Sequence, residues 1–573
     1  MKFRFFRKLF SIIALALLFV PSGTPAFARE PVSARNAMSA SQHPLASGIG
    51  AEIMKKGGNA VDAAIAVGLA LAVVYPEAGN LGGGGFMVIR LADGRAATID
   101  YREMAPNAAT RDIYLDENGS PIRGEGGSLV GYRAAGVPGT VAGFELAFRK
   151  YGSGKVKWAE LVEPARRLAA EGFVLSRRQA DLFKAYRNSL ERYADSKRIF
   201  LNGGDHFEAG DRLVQTDLAA TLARIRDEGA KDLYEGTTAK LVAADMKRND
   251  GLITLEDLKN YKAVERRPVE GMYRGHKVIS MAPPSSGGIV LLQVLNMLER
   301  YDIRALGFNS AAKNHLLVEA SKRAFSDRAE LMADPDFTSV PTERLIDRSY
   351  AAQRARSIAK DRVTTSSEIG PGIVPSPEPM DTTHYSVVDK DGNAVSNSYT
   401  INNIFGNAVT AKGTGILLND EMDDFASQPG KPNMFGLVQG EKNAIEPGKR
   451  PLSSMTPTIV LRPDGSFWFA VGGRGGPRII SALIQIVTNV IDHGMNIQLA
   501  IDAPRIHHQW LPDHIFYEPF GLSPDTRRIL EEYGHNFANA PGNIASTTAV
   551  AIDEEGFRLG AIDRRSDGES VGY

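Results

Sequence analysis

The chain has 573 residues, too many for one ordinary hydrophobic core, so two domains or one large layered domain is expected. Lys+Arg and Asp+Glu both number 67, and without a basic excess there is nothing to hold a phosphate backbone, which argues against nucleic acid as a partner. Cysteine is absent, which excludes disulfides, thiolate nucleophiles, iron–sulfur clusters and cysteine-ligated zinc.

Residues 1–28 read as an export signal. Lys2, Arg4, Arg7 and Lys8 are the charged start, Leu9 to Val20 the apolar stretch, and Ala26-Phe27-Ala28 a small-x-small cleavage site. The apolar stretch is shorter than the about 20 residues a membrane span needs. Removal of the segment, which holds basic but no acidic residues, leaves a slightly acidic product that begins at Arg29 and has no later span. A periplasmic or secreted location follows.

Pro44 to Lys56 reads as a helix closed by Gly57-Gly58. Asn59 caps a second one reaching Tyr75, apolar or small on nearly every side and therefore buried. Gly82 to Gly85 precede a strand over 86–91. They lack the spacing of a nucleotide cradle and suit tight packing of a turn under a sheet. Residues 156–265 are richer in charge and predict amphipathic helices such as Trp158–Gly172. A further helix over 310–333 places Leu316, Leu317, Ala320, Ala324 and Leu331 on one face. Thr364 to Asp381, with four prolines, reads as an exposed irregular linker. Strands follow over 382–388, 394–400, 456–461 and 466–471, then a helix from Pro477 to Ile491.

Lys390-Asp391-Gly392 suits a three-residue hairpin loop with Gly392 left-handed. That loop sets Thr382 opposite Thr400; a two-residue loop would move the pairing by one. Threonine is also a common strand former, and on this ground alone the pair is unremarkable.

Six blocks in order change that: His43-Pro44-Leu45-Ala46-Ser47, Gly57-Gly58-Asn59-Ala60-Val61-Asp62-Ala63-Ala64, Arg102-Glu103-Met104-Ala105-Pro106, Pro283-Pro284-Ser285-Ser286-Gly287-Gly288, Thr382-Thr383-His384-Tyr385-Ser386 and Arg450-Pro451-Leu452-Ser453-Ser454-Met455. From about residue 41 to the C-terminus the chain resembles the γ-glutamyltranspeptidases, which are N-terminal-nucleophile hydrolases. The resemblance implies an α+β fold, a four-layer αββα sandwich. It also implies a precursor that cuts itself between Asp381 and Thr382 into a large subunit (29–381) and a small subunit (382–573), which stay together as a heterodimer. A threonine hydroxyl needs a base to attack. The cut supplies one, because the new α-amine of Thr382 has an ordinary pKa of about 7.7–8.0.

The family positions put Arg102, Ser453 and Ser454 on the α-carboxylate of a γ-glutamyl group, and Asn402, Glu421 and Asp424 on its α-ammonium. Thr400 would hydrogen-bond the nucleophile, and Gly475 and Gly476 would form the oxyanion hole. Each residue taken singly is bland: a surface arginine, a solvated acid pair, a loop serine pair. In Gly472-Gly473-Arg474-Gly475-Gly476-Pro477 the chain departs from the usual family loop Gly-Ser-Pro-Gly-Gly-Ser at Gly473, Arg474 and Pro477. The segment 429–440 resembles the loop that covers the pocket in bacterial relatives. Several of these carry Tyr where this chain has Phe435 and bond it to the position of Asn402.

His507, His508 and His514 lack metal-ligand spacing and read as structural or surface histidines. Gly568-x-Ser570-x-Gly572 matches a nucleophile elbow, but no helix can follow it. Ser285-Ser286 reads as a helix cap. The expected activity is transfer of the γ-glutamyl group of glutathione and related compounds to water, an amino acid or a peptide, with no metal or cofactor. The alternatives are a cephalosporin or glutaryl acylase of the same superfamily and an exported binding protein without catalysis.

Overall fold

Two seven-stranded antiparallel sheets form the centre of the computed structural model, which describes residues 29–122, 124–369 and 382–573. The export signal and Asp381 lie outside the described residues. The first sheet runs, in spatial order, Glu569–Gly572, Met38–Ser41, Thr383–Val388, Ala394–Thr400, Gly84–Arg90, Ala96–Tyr101 and Val264–Arg266. The second runs Val32–Ala34, Arg558–Ile562, Ser546–Ile552, Phe467–Arg474, Thr458–Leu461, His276–Ser280 and Val269–Tyr273.

Three apolar layers account for the stacking. Met38, Phe86, Val88 and Val388 of the first sheet meet Ile279, Ile459, Ala470 and Val550 of the second between the sheets. Helices Pro44–Lys55, Ala60–Val74 and Trp158–Glu171 cover the outer face of the first sheet. Helices Gly287–Leu298, Ala311–Leu331 and Arg478–Ile491 cover that of the second. The arrangement is the expected αββα sandwich.

Local sequence explains the elements. Helix Ala60–Val74 is buried along its whole length and is started by a capping box between Asn59 and Asp62. Val388 pairs with Ala394 and Thr383 with Tyr399, and Gly392 has φ +85°, so the hairpin has the three-residue loop and the register expected. Gly83 is needed for close approach, since a Cβ there would lie 2.0 Å from the carbonyl oxygen of Thr400.

Four expectations change. The second-sheet strand continues through Gly472, Gly473 and Arg474 by pairing with Ser546–Ile552, so only Gly475 and Gly476 turn into the helix. Helix Ala311–Leu331 is not amphipathic; its polar side, including Glu319, Lys322, Arg323 and Arg328, is buried too. Ser286 stands at a helix start but makes no side-chain cap bond there; its hydroxyl donates to the Ser453 carbonyl oxygen at 2.7 Å. The first part of the 364–381 segment is tied down, because buried Ser366 donates its hydroxyl to the Trp510 carbonyl at 2.6 Å and its N–H to Asp513 at 2.8 Å.

Candidate active site

The hairpin places Thr382, one residue before the strand Thr383–Val388, at the same end as Thr400. Both are buried. The second sheet approaches closely here. A Cβ on Gly472 would lie 2.3 Å from the His384 ring, so only glycine lets the strands pass. His384 hydrogen-bonds Ser398 at 2.8 Å and Ser386 at 2.9 Å. Burial lowers its pKa to about 3, so the ring is neutral and serves packing rather than proton transfer.

Thr382 and Thr400 line a small cavity of ≈ 20 Å³ together with Arg102, Asn402, Glu421, Asp424, Phe435, Ser453, Ser454, Met455, Gly476 and Ile479. Every residue assigned to the glutamyl group from the sequence faces this one space. Of the two glycines, Gly476 lines it and Gly475 lies one position upstream, with φ +54° and +130°. Two larger clefts, of ≈ 630 and ≈ 550 Å³, share no lining residue with it.

Arg102 follows strand Ala96–Tyr101. Its N–H donates to Asp100 at 2.9 Å, its Nε to the Pro451 carbonyl at 3.1 Å, and Tyr261 caps its carbonyl at 2.8 Å. The guanidinium donates to Glu421 and Asp424, and Glu103 lies 3.5 Å away. Residues expected at opposite ends of a ligand are thus bonded to each other. Burial opposes the charge on Arg102, but Glu421, Asp424 and Glu103 outweigh it and raise its pKa. Burial raises the carboxyls of Glu421 and Asp424 despite Arg102, and lifts Glu103 to about 7.

Asn402 has φ +74°, a left-handed conformation that asparagine tolerates. In it the backbone N–H donates to Thr400 Oγ1 at 2.7 Å, while the side chain donates to the Asp420 carbonyl at 3.0 Å. Asn419 sets the acidic turn by accepting from the N–H of Glu421 at 3.0 Å. Ser453 and Ser454 sit on a segment stitched to the 283–286 loop: Ser453 N–H donates to the Pro284 carbonyl at 2.8 Å and Ser286 N–H to the Ser453 carbonyl at 2.9 Å.

Phe435 lines the cavity beside Gly476. A Cβ on Gly476 would lie 2.7 Å from the Phe435 ring. Asn433 Nδ2 donates to Asp424 at 3.3 Å, Met434 N–H to Asp423 at 3.0 Å, and Gln509 to the Phe435 carbonyl at 3.0 Å. Arg474 stands 5.9 Å over the Tyr75 ring. His507 is buried and bonded to Ser481 at 2.7 Å and Gln509 at 2.8 Å; His508 pairs with Asp513 at 3.2 Å, and His514 is exposed. Ser570 lies in an edge strand.

Sequence reasoning missed Arg328 and Glu103 as members of this site. Glu103 was in view beside Arg102, inside a quoted block. Arg328 was hidden on a helix whose charges resemble a solvated face.

No helix among the described residues is long and apolar enough to cross a membrane. The Gamma-glutamyltranspeptidase family model matches residues 46–573. The glutathione hydrolase proenzyme of Escherichia coli strain K12 is 49% identical over 545 residues, 95% of this chain and 93% of that one. A cephalosporin acylase structure from Bacillus halodurans is similar at TM-score 0.82 and 26% identity, over 97% of this chain and 99% of that chain. The Helicobacter pylori gamma-glutamyltranspeptidase structure gives TM-score 0.56 and 46% identity, over 61% of this chain and 97% of that chain. With its sheet order, its buried threonine pair and a match spanning nearly all of its length, the chain belongs to the gamma-glutamyltranspeptidase family.

Proposed function

We propose that this chain is an exported, self-processing γ-glutamyltransferase and glutathione hydrolase. The observation that carries the reading is the convergence of Thr382, Thr400, Arg102, Asn402, Glu421, Asp424, Ser453, Ser454 and Gly476 on one cavity. Cleavage between Asp381 and Thr382 gives Thr382 a free α-amine, which takes the hydroxyl proton as Oγ attacks the γ-carbonyl carbon. Gly475 and Gly476 lie where a sheet strand turns into a helix, a junction whose N–H groups suit the oxyanion. Collapse breaks the C–N bond, and the amine leaves with the proton. Water or an acceptor amine then attacks the ester, and Thr382 recovers its proton.

Arg102, Ser453 and Ser454 would receive the α-carboxylate, and Asn402, Glu421 and Asp424 the α-ammonium. To do so, the ligand must insert between Arg102 and its two acids. A glutaryl or cephalosporin acylase needs the carboxylate site but no acids for an ammonium, so Glu421 and Asp424 favour the glutamyl reading. The test is purified chain on a gel, with N-terminal sequencing of the smaller band. It should begin Thr382-Thr383-His384, Thr382→Ala should remain uncut, and the processed form should hydrolyse γ-glutamyl-p-nitroanilide. Normal processing of Thr382→Ala would refute the nucleophile, and an intact chain that still binds glutamate would point to a binding protein.

A further inference from the structure

Helix Ala311–Leu331 brings a second cation behind Ser454, one of the residues that line this cavity. Arg328 is 1% exposed. Its Nε donates to Ser286 Oγ at 2.9 Å and its Nη2 to Ser454 Oγ at 3.4 Å; its buried Nη1 has no hydrogen-bond partner among the described residues. Neither partner is charged, which is unusual for a buried guanidinium and costly to maintain. Burial lowers its pKa to about 10, with Asp424 opposing the shift, so it stays protonated at neutral pH.

Arg102 differs, because its charge is met by Glu421 and Asp424 until a ligand inserts between them. A second source of positive potential beside Ser453 and Ser454 would draw a carboxylate in before that exchange is complete. The Ser454 hydroxyl accepts from Arg328, which turns its own proton away from the guanidinium. Ser286 holds Arg328 in place: it accepts from Nε while donating to the Ser453 carbonyl at 2.7 Å, so cation and serine pair move as one unit.

We infer that Arg328 is a positioning residue for donor specificity, whose charge, hydrogen-bonded to no carboxylate among the described residues and delivered through Ser454, holds the α-carboxylate of the acyl donor. This rests on the glutamyl reading of the pocket. The role is electrostatic, since a charge in a dry site is little screened.

The test compares processed wild type with Arg328→Gln. Three quantities are measured: KM for γ-glutamyl-p-nitroanilide, and inhibition constants for glutarate, which lacks the α-amine, and 4-aminobutyrate, which lacks the α-carboxylate. KM and the glutarate constant should rise at least tenfold, with kcat within threefold and the 4-aminobutyrate constant within twofold. Arg328→Lys keeps the charge and should show the same selectivity at two- to fivefold, which also serves if the Gln variant does not fold. Equal losses for all three compounds, or none, would overturn the inference while wild-type turnover still supports the glutamyl reading. If wild type turns over no γ-glutamyl donor, that reading fails by itself. Thermal protection by glutarate against 4-aminobutyrate then decides the role of Arg328, and loss of the glutarate effect alone in Arg328→Gln would still support it.

Discussion

Arg102 and Asp424 are bonded to each other inside the cavity they are proposed to open for a ligand. The pair is fully buried on the arginine side, and Glu421 shares the same guanidinium. The charge of Arg102 is therefore already paired with acids inside the site, and a zwitterion is a ligand that can enter it without adding net charge.

Replacing one member has different effects from each side. Asp424→Asn keeps the shape and should raise KM for γ-glutamyl-p-nitroanilide at least about tenfold, from the ~1.5–3 kcal/mol of a hydrogen bond to a charged group. Arg102→Ala leaves Glu421 and Asp424 without their cation, and breaking a buried pair costs roughly 3–5 kcal/mol. It should lower the melting temperature as well as activity. Unchanged kinetics in processed Asp424→Asn would move the ammonium site elsewhere.

Glu103 gives the cluster a proton to lose near neutrality. Burial raises its carboxyl from 4.5 to about 7, against the pull of Arg102 and with the support of Asp424 and Asp100. Between these values the folded chain binds more protons than the unfolded one, so stability falls as pH rises. The contribution is fully present below about pH 4.5 and is lost through pH 7, an effect on the order of 3 kcal/mol at 1.36 kcal/mol per pKa unit. Glu103→Gln should flatten the difference in melting temperature between pH 5 and pH 8. An identical pH profile in the variant would remove Glu103 from the account.

Phe435 lies on Gly476 and lines the cavity, with no hydroxyl to bond across it, and it is proposed to cover the pocket. Phe435→Tyr should add one hydrogen bond toward Asn402, worth a net ~0.5–1.5 kcal/mol, and favour the closed loop about two- to tenfold. Pre-steady-state kinetics on processed protein should show slower deacylation or a lower donor KM, with self-cleavage unchanged. If acylation, deacylation and donor KM all stay as they were, Asn433 and Gln509 set the loop by themselves.

The hairpin was legible because its loop chemistry fixes a register, and a register fixes which side chains face each other across strands. Helix Ala60–Val74 was legible because an apolar surface on every side admits only burial. The charges of Ala311–Leu331 were not. Lys322, Arg323 and Glu319 have the i, i+3 and i, i+4 spacing of solvent-exposed ion pairs, yet they are buried and bond the segment 357–364. Local spacing reports pairing and is silent on what covers the pair. Ser286 misled for a related reason: its hydroxyl serves the distant segment of Ser453 and Arg328 rather than its own helix. The glycines after Val471 suggest a loop from sequence, whereas the strand continues through them and the His384 ring requires one at Gly472.

The sheets are woven from both sides of residue 382. Strand Thr383–Val388 pairs with Met38–Ser41, Ala394–Thr400 with Gly84–Arg90, Thr458–Leu461 with His276–Ser280, and Glu569–Gly572 again with Met38–Ser41. A break at 381–382 would sever one peptide bond and none of these seams. The two pieces would then be held together as a folded chain is held, so dilution would not separate them. Pieces synthesised apart would each lack neighbours for the strands of both sheets. If the proposed cut occurs, assembly would therefore precede it.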